Sequence, residues 1–135
     1  LSSVTDALGA TVQFAYDAAG RLTRLTDANG RTLTSTYDAI GRLLGVTDPL
    51  GNAVALGYDP VGNLLRRTDA NGRIMAYAYD GNSNLTQVTD PLGGITRYIY
   101  DPLNNRTRVT NAKGNATTLT YDALNRLQQV TGAMQ

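Results

Sequence analysis

Carboxylates are the one reactive group that this chain holds in number and at regular spacing. There are eleven, all Asp, and the sequence contains no Glu, His, Cys or Trp. Thiol nucleophiles, cysteine zinc sites, Ser-His-Asp triads and imidazole acid–base chemistry are excluded by inventory. What aspartates alone leave open is a carboxyl pair for glycoside hydrolysis, about 5–10 Å apart and differently surrounded, or an oxygen-ligated cation site. Six aspartates follow a tyrosine, in Tyr16-Asp17, Tyr37-Asp38, Tyr58-Asp59, Tyr79-Asp80, Tyr100-Asp101 and Tyr121-Asp122. The other five, Asp6, Asp27, Asp48, Asp69 and Asp90, follow a threonine. A row of equivalent carboxyls has nothing to push two pKa values apart, which acid–base catalysis requires. The segments Asp27-Ala28-Asn29-Gly30-Arg31 and Asp69-Ala70-Asn71-Gly72-Arg73 are loosely like calcium loops, but each offers one carboxylate and no closing Glu. The reading is of no catalytic residue, no metal site and no cofactor, with every Asp opening a turn.

The tyrosines and arginines admit a binding reading. Six tyrosines in step could form an aromatic platform for sugars, or each could close a strand and send its hydroxyl to a backbone group. The packing reading is preferred, because the Tyr recurs in every repeat while a binding site occupies only some. Arginines recur more loosely, at Arg21, Arg42 and Arg126, at Arg24, Arg66 and Arg108, and at Arg31 and Arg73. Interleaved with as many aspartates, they read as a mixed-charge solvated surface.

The elements that hold these residues follow from a repeat of 21. Tyr-Asp recurs at that interval six times without slippage. Thr5, Thr26, Thr47, Thr68, Thr89, Thr110 and Thr131 share the period, as do the turn glycines Gly9, Gly30, Gly51, Gly72, Gly93 and Gly114. Each repeat carries two turn signals, such as Asp17-Ala18-Ala19-Gly20 and Asp48-Pro49-Leu50-Gly51. Asp at the first position of a type I turn bonds N–H groups ahead of it, Pro presets φ at the second, and Gly supplies positive φ at the fourth. Asn takes the glycine place at Asn104 and Asn125, and the segment Asp80-Gly81-Asn82-Ser83-Asn84 loses it.

Between turns lie six or seven residues, a strand's length. The chain is therefore all-β, an antiparallel meander of about a dozen strands built from repeated hairpins. Val12, Phe14 and Tyr16 share one face of their strand, with small or polar residues such as Thr32, Thr34 and Thr36 on the other face of the corresponding strand. Leu22 and Leu25 are three apart, so either a bulge returns both to one face or both faces are partly covered.

The length, 135 residues, suits one unit able to bury roughly two-thirds of its unfolded surface. A net charge of +1 gives no footprint for nucleic acid or anionic membrane, and no apolar run is long enough for a membrane-spanning helix. The array, residues 1–135, begins and ends within a repeat. It reads as part of a longer protein, with edge-to-edge self-association expected of the isolated chain.

The unit Tyr37-Asp38-Ala39-Ile40-Gly41-Arg42-Leu43, followed by Thr47-Asp48 and Gly51 on a 21-residue period, resembles the Rhs/YD repeat family. Asn111 and Gly132 stand where the second Asp belongs, and Arg106 where the repeat Leu belongs. The resemblance implies a β-sheet spiral that forms part of a hollow shell without catalytic function. It implies neighbouring repeats and an enclosed toxin or effector polypeptide as partners, and a secreted or cell-surface location. A carbohydrate-binding module using the Tyr or Arg rows is the competing reading.

Overall fold

The fold comes from a computed structural model, which describes residues 2–132. Among these there are thirteen strands and no helix. They are β1 (Ser2–Thr5), β2 (Thr11–Tyr16), β3 (Leu22–Thr26), β4 (Thr32–Tyr37), β5 (Leu43–Thr47), β6 (Ala53–Tyr58), β7 (Leu64–Thr68), β8 (Ile74–Tyr79), β9 (Leu85–Thr89), β10 (Ile95–Tyr100), β11 (Arg106–Thr110), β12 (Ala116–Tyr121) and β13 (Leu127–Thr131). Strand order follows chain order, the signature of a meander. The chain divides into two units, Leu1–Gly57 with Arg67–Arg73, and Tyr58–Arg66 with Ile74–Gln135.

Within the first unit, the hairpin around the Asp27 turn pairs without interruption: Arg24, Leu25 and Thr26 face Thr34, Leu33 and Thr32. The hairpin around the Asp17 turn slips by one residue. Phe14 faces Leu25, yet Tyr16 faces Leu22, so Thr23 is an inserted residue without a partner. The same slip returns after Asp38, with Leu44 extra. In the second unit it recurs after Asp80, Asp101 and Asp122, with Thr86, Thr107 and Gln128 extra. This one-residue bulge answers the spacing of Leu22 and Leu25, which both lie on the face of Tyr16. Three of the inserted residues are threonines whose hydroxyls donate across the hairpin, Thr23 to the Ala15 carbonyl, Thr86 to Ala78 and Thr107 to Ile99. The bulge thus gains a hydrogen bond where the ladder is disturbed.

The bulge also explains why the period is odd. Both loops join partners an even number of residues apart, Tyr16 with Leu22 and Thr26 with Thr32. A repeat made only of such hairpins would have an even length. One inserted residue makes it 21 and keeps every repeat tyrosine on the same side of the alternation.

In each unit that side, the aromatic face, carries the tyrosines and the residues paired with them, such as Leu25 opposite Phe14 in the first and Val88 opposite Tyr77 and Val109 opposite Tyr98 in the second. Burial on it is shallow. Among the described residues only Val109 and its partner Thr117 are buried, at 8% and 5% exposure. The accessible surface is 9023 Å², against ~6,800 Å² for a compact monomer of this length. That is more surface than burial of roughly two-thirds of the unfolded area would leave. Within each unit, among the described residues, side chains are buried against their neighbours across the strands and not beneath a second layer.

Candidate functional site

The repeated aspartates and the side chains four residues after them converge on the turns, so the candidate site is the turn itself. Twelve turns share one geometry. The N–H of the first residue donates to the carbonyl four residues on, and the N–H of the fourth donates back to the first, at 2.9–3.2 Å. This is a type I turn followed by a residue in the left-handed region, the three-residue hairpin loop. Gly9, Gly30, Gly51, Gly72, Gly93 and Gly114 occupy that position with φ between 76° and 85°. Ser83, Asn104 and Asn125 occupy it with φ of 63°, 63° and 58°.

The side chain that opens each turn locks it. In all twelve, Oδ1 accepts the N–H groups two and four residues on, at 2.8–3.1 Å. Asn111 does the same with an amide oxygen, so the position needs an acceptor and not a charge. In eight turns the fourth residue after the Asp returns a side-chain donor to Oδ2. Arg21, Arg42, Arg73 and Arg126 do so through Nε at 2.6–3.0 Å. Asn52, Asn63, Asn84 and Asn105 do so through Nδ2 at 2.8–3.0 Å. These four arginines are therefore clamps on the turns, Arg21 and Arg42 partly buried and Arg73 and Arg126 largely exposed.

The electrostatics follow. The backbone N–H of Arg21 holds the Asp17 carboxyl below the usual carboxylate range, helped by the Arg21 side chain. The Asn52 side chain does the same for Asp48, and the Asn84 side chain for Asp80. At Asp38, Asp59 and Asp101 partial burial pulls upward, yet the hydrogen bonds from Arg42, Asn63 and Asn105 leave each carboxyl lowered. Asp69 and Asp122 are lowered first by the N–H of Arg73 and of Arg126. All resolved shifts among the carboxyls run the same way. Pairs pushed apart, the mark of acid–base catalysis, do not occur among them, and no group of three potential metal ligands forms among the described residues.

The tyrosines end the even strands beside these turns. The Tyr37 hydroxyl donates to the Leu22 carbonyl on the preceding strand at 3.0 Å, Tyr100 to Leu85 at 2.9 Å and Tyr121 to Arg106 at 2.9 Å. Burial raises the pKa of Tyr79 and Tyr100. Tyr58 is half-buried at the end of β6, and Tyr16 is exposed. The Arg21 guanidinium lies 5.0 Å above the Tyr37 ring while its Nη1 donates to the Asp38 carbonyl at 2.8 Å. The tyrosine bonds at Tyr37, Tyr100 and Tyr121 thus tie each of these strands to the one before it, and Arg21 adds a link between the Asp17 and Asp38 turns.

A second set of ties was not anticipated from the residues. Asn63 donates to Ser83 Oγ at 3.1 Å, Asn84 to Asn104 Oδ1 at 2.7 Å and Asn105 to Asn125 Oδ1 at 3.2 Å. The signal lay in the sequence: where the left-handed position changes from Gly to Ser or Asn, the clamp of the preceding turn is Asn.

Comparison with known proteins agrees with this geometry. The model of the RHS repeat family matches residues 1–32, 37–74, 79–116 and 100–133. No curated protein matches the chain. Among solved structures, TcdB2-TccC3 superposes with a TM-score of 0.71 at 28% identity over 91% of this chain. The Tc holotoxin pore of Photorhabdus luminescens, and TcdB2-TccC3 without its hypervariable C-terminal region, each give 0.70 at 28% identity over 91%. The chain spans 7% of the length of each of these proteins. A constant 21-residue hairpin, opened by Tyr-Asp and matched by the family along nearly its whole length, makes this chain a member of the RHS repeat family.

Proposed function

We propose that this chain is a non-enzymatic wall: a run of repeats in a larger β-shell that encloses a toxin or effector polypeptide, secreted or displayed at a cell surface. One observation carries the reading. In all twelve turns the repeated opening side chain, eleven aspartates and Asn111, is engaged through Oδ1 in holding its own turn. Such a chain gains mechanical regularity from its chemistry and keeps none of it at a reaction centre. The likeness to TcdB2-TccC3 supports the enclosing role, since one form of that complex is defined by a removable hypervariable C-terminal region. The sugar-platform alternative is disfavoured by the tyrosine hydroxyls of Tyr37, Tyr100 and Tyr121, which already bond to backbone carbonyls.

The test is limited proteolysis of the full-length protein that contains these repeats. A polypeptide enclosed by the wall resists protease until the array is opened. Disrupting two turns, with Asp38→Pro and Asp80→Pro, is expected to expose it. Equal digestion before and after disruption overturns the reading.

A further inference from the structure

The charges of this molecule are segregated. Every carboxylate opens a turn, at the ends of strands, and no strand carries one. Arg24, Arg66, Arg97 and Arg108 lie within strands, are exposed, and make no ion pair among the described residues. A near-neutral chain thus presents strand surface whose formal charges are all positive. This reverses the mixed-charge reading drawn from the overall balance.

The feature is most developed in the second unit, on the face opposite the aromatic one. Along β10, Ile95, Arg97 and Ile99 alternate onto this face, away from Tyr98 and Tyr100. Arg97 faces Gln87 on β9, and Ile99 faces Arg108 on β11, which in turn faces Thr118 on β12. Arg97 and Arg108 are diagonal neighbours across β10 and β11, about 7–8 Å apart at the base, so two long guanidinium side chains can converge on one oxyanion. Ile99 is 52% exposed between them. Ile99, Arg108 and Thr118 also border a concavity of about 630 Å³ that continues toward Leu103 and Asn105. Its nearby carboxylates, Asp101 and Asp122, are held by their own turn donors. The Arg108 register recurs at a spacing of 42, as Arg24, Arg66 and Arg108, with Gly45 and Gln87 between and Gln129 after.

We propose that this face of the second unit is a docking surface for an extended polypeptide segment bearing both carboxylates and aliphatic side chains. The unpaired Arg97 and Arg108 supply the charge complement. The exposed Ile99 beside them favours a polypeptide over a sulfated glycan, which has anionic groups but no aliphatic surface to cover an isoleucine. The tyrosines of β10 alternate onto the opposite face and Tyr121 is the one aromatic residue bordering the concavity, so a neutral sugar would find no aromatic row to stack on. The proposal deepens the wall reading and rests on it, because an enclosed polypeptide is what such a surface would touch.

The test is a fluorescence-anisotropy titration of the 135-residue chain with a labelled dodecapeptide of three Asp-Leu-Ser-Glu units. An oligo-glutamate dodecamer and a heparin-derived dodecasaccharide serve as competitors. Saturable, salt-sensitive binding is expected, weakened at least tenfold by Arg97→Gln with Arg108→Gln and also weakened by Ile99→Ser. The two competitors should displace the peptide poorly. Absent binding, binding unchanged in the double variant, or efficient displacement by the dodecasaccharide overturns the proposal. Should the double variant fail to fold, amide shifts of the unaltered chain decide. Perturbation confined to β9–β12 supports the patch, and perturbation elsewhere overturns it. If peptide binding fails while an enclosed polypeptide still resists protease in the full-length protein, the patch falls and the wall stands.

Discussion

The turns that follow tyrosines are tied together differently in the two units. In the first, Arg21 clamps Asp17 and reaches on to the Asp38 backbone carbonyl, passing over Gly41, where an added Cβ would sit 3.5 Å from its Nη1. In the second, Asn84 and Asn105 clamp Asp80 and Asp101 and reach on to side chains, Asn104 and Asn125, at the left-handed position. A long cation needs a bare glycine beside it and finds a backbone acceptor. A short amide needs a side-chain acceptor brought to it. The second unit accepts the modest strain of non-glycine residues at positive φ and recovers a hydrogen bond in exchange. Turns that follow threonines in either unit keep Gly at the left-handed position from Gly9 to Gly114. Clamp and left-handed residue therefore form one choice, made in pairs across consecutive repeats.

If the Asp acceptor underlies both kinds of tie, removing it should produce the largest effect in either unit. Asp38→Ala removes the carboxylate that accepts from two backbone N–H groups and from Arg42 Nε. Asp80→Ala does the same to Asn82 and Asn84. Both are expected to lower the thermal midpoint, read by circular dichroism, more than substitutions at Gly51, Arg21 or Gly41 do. Asp38→Asn should lose much less, because Asn111 performs the same function in the native chain. An Asn variant as damaging as the Ala variant would break the claim that an acceptor suffices.

Gly51 examines the third kind of turn, which follows a threonine. Its φ is +85° and nothing stands within 4 Å of an added Cβ, so a substitution there reports backbone strain alone. Gly51→Val is expected to destabilise by about 1 kcal/mol or more, since a β-branched residue resists positive φ. Gly51→Asn should be milder, by the precedent of Asn104 and Asn125. Denaturant midpoints that do not distinguish Val from Asn would detach the left-handed geometry from the stability of the turn.

Much of this was legible in the residues. The Asp and Gly spacings specify turns because few residue types meet both demands, and the strands follow as the stretches between. The spacing of Leu22 and Leu25 fits either a bulge or two covered faces, and the odd period selects the bulge only once the loops are seen to join even-spaced partners. The lateral ties were not legible at Asn84 or Arg21 taken singly, because each residue acts on a turn 17 to 20 positions away and only pairwise inspection reveals it. Charge segregation was hidden for a different reason. Net charge averages over the sheet, whereas Asp101 at a turn and Arg97 within a strand meet different surroundings.

A swap across the units sharpens the comparison. Arg21→Asn should keep the link to Asp17, as Asn52 does with Asp48, but lose the bond to Asp38 and the contact with the Tyr37 ring. Gly41→Asn alone should add strain at φ +92°. Combined, the two place an amide pair where the second unit has one, and the double variant should be more stable than the sum of the single losses by about 0.5–1 kcal/mol. Simple additivity in a double-mutant cycle would show that the two positions are chosen independently.

The smallest expected effect is that of acid, and it distinguishes clamp chemistry from clamp geometry. Asp17 and Asp38, clamped by arginine, and Asp48, Asp80 and Asp101, clamped by asparagine, all have carboxyls held below their ordinary range. A carboxyl lowered in the folded state contributes stability that is complete above its unfolded pKa of about 3.9. That contribution is lost as pH falls through the lower folded value. The thermal midpoint should therefore be level above about pH 5 and decline below about pH 4. Salt separates the two kinds of clamp. An Arg–Asp contact weakens as ions screen it, while an Asn–Asp hydrogen bond has no second charge to screen. Raising the ionic strength at pH 7 should lower the stability conferred by Arg21 and Arg42 while leaving that of Asn84 and Asn105 nearly constant, measured as the loss on Ala substitution at each position. Equal salt dependence at all four would mean that the arginines act through shape and hydrogen bonding alone, and that the two units differ only in how far their clamps reach.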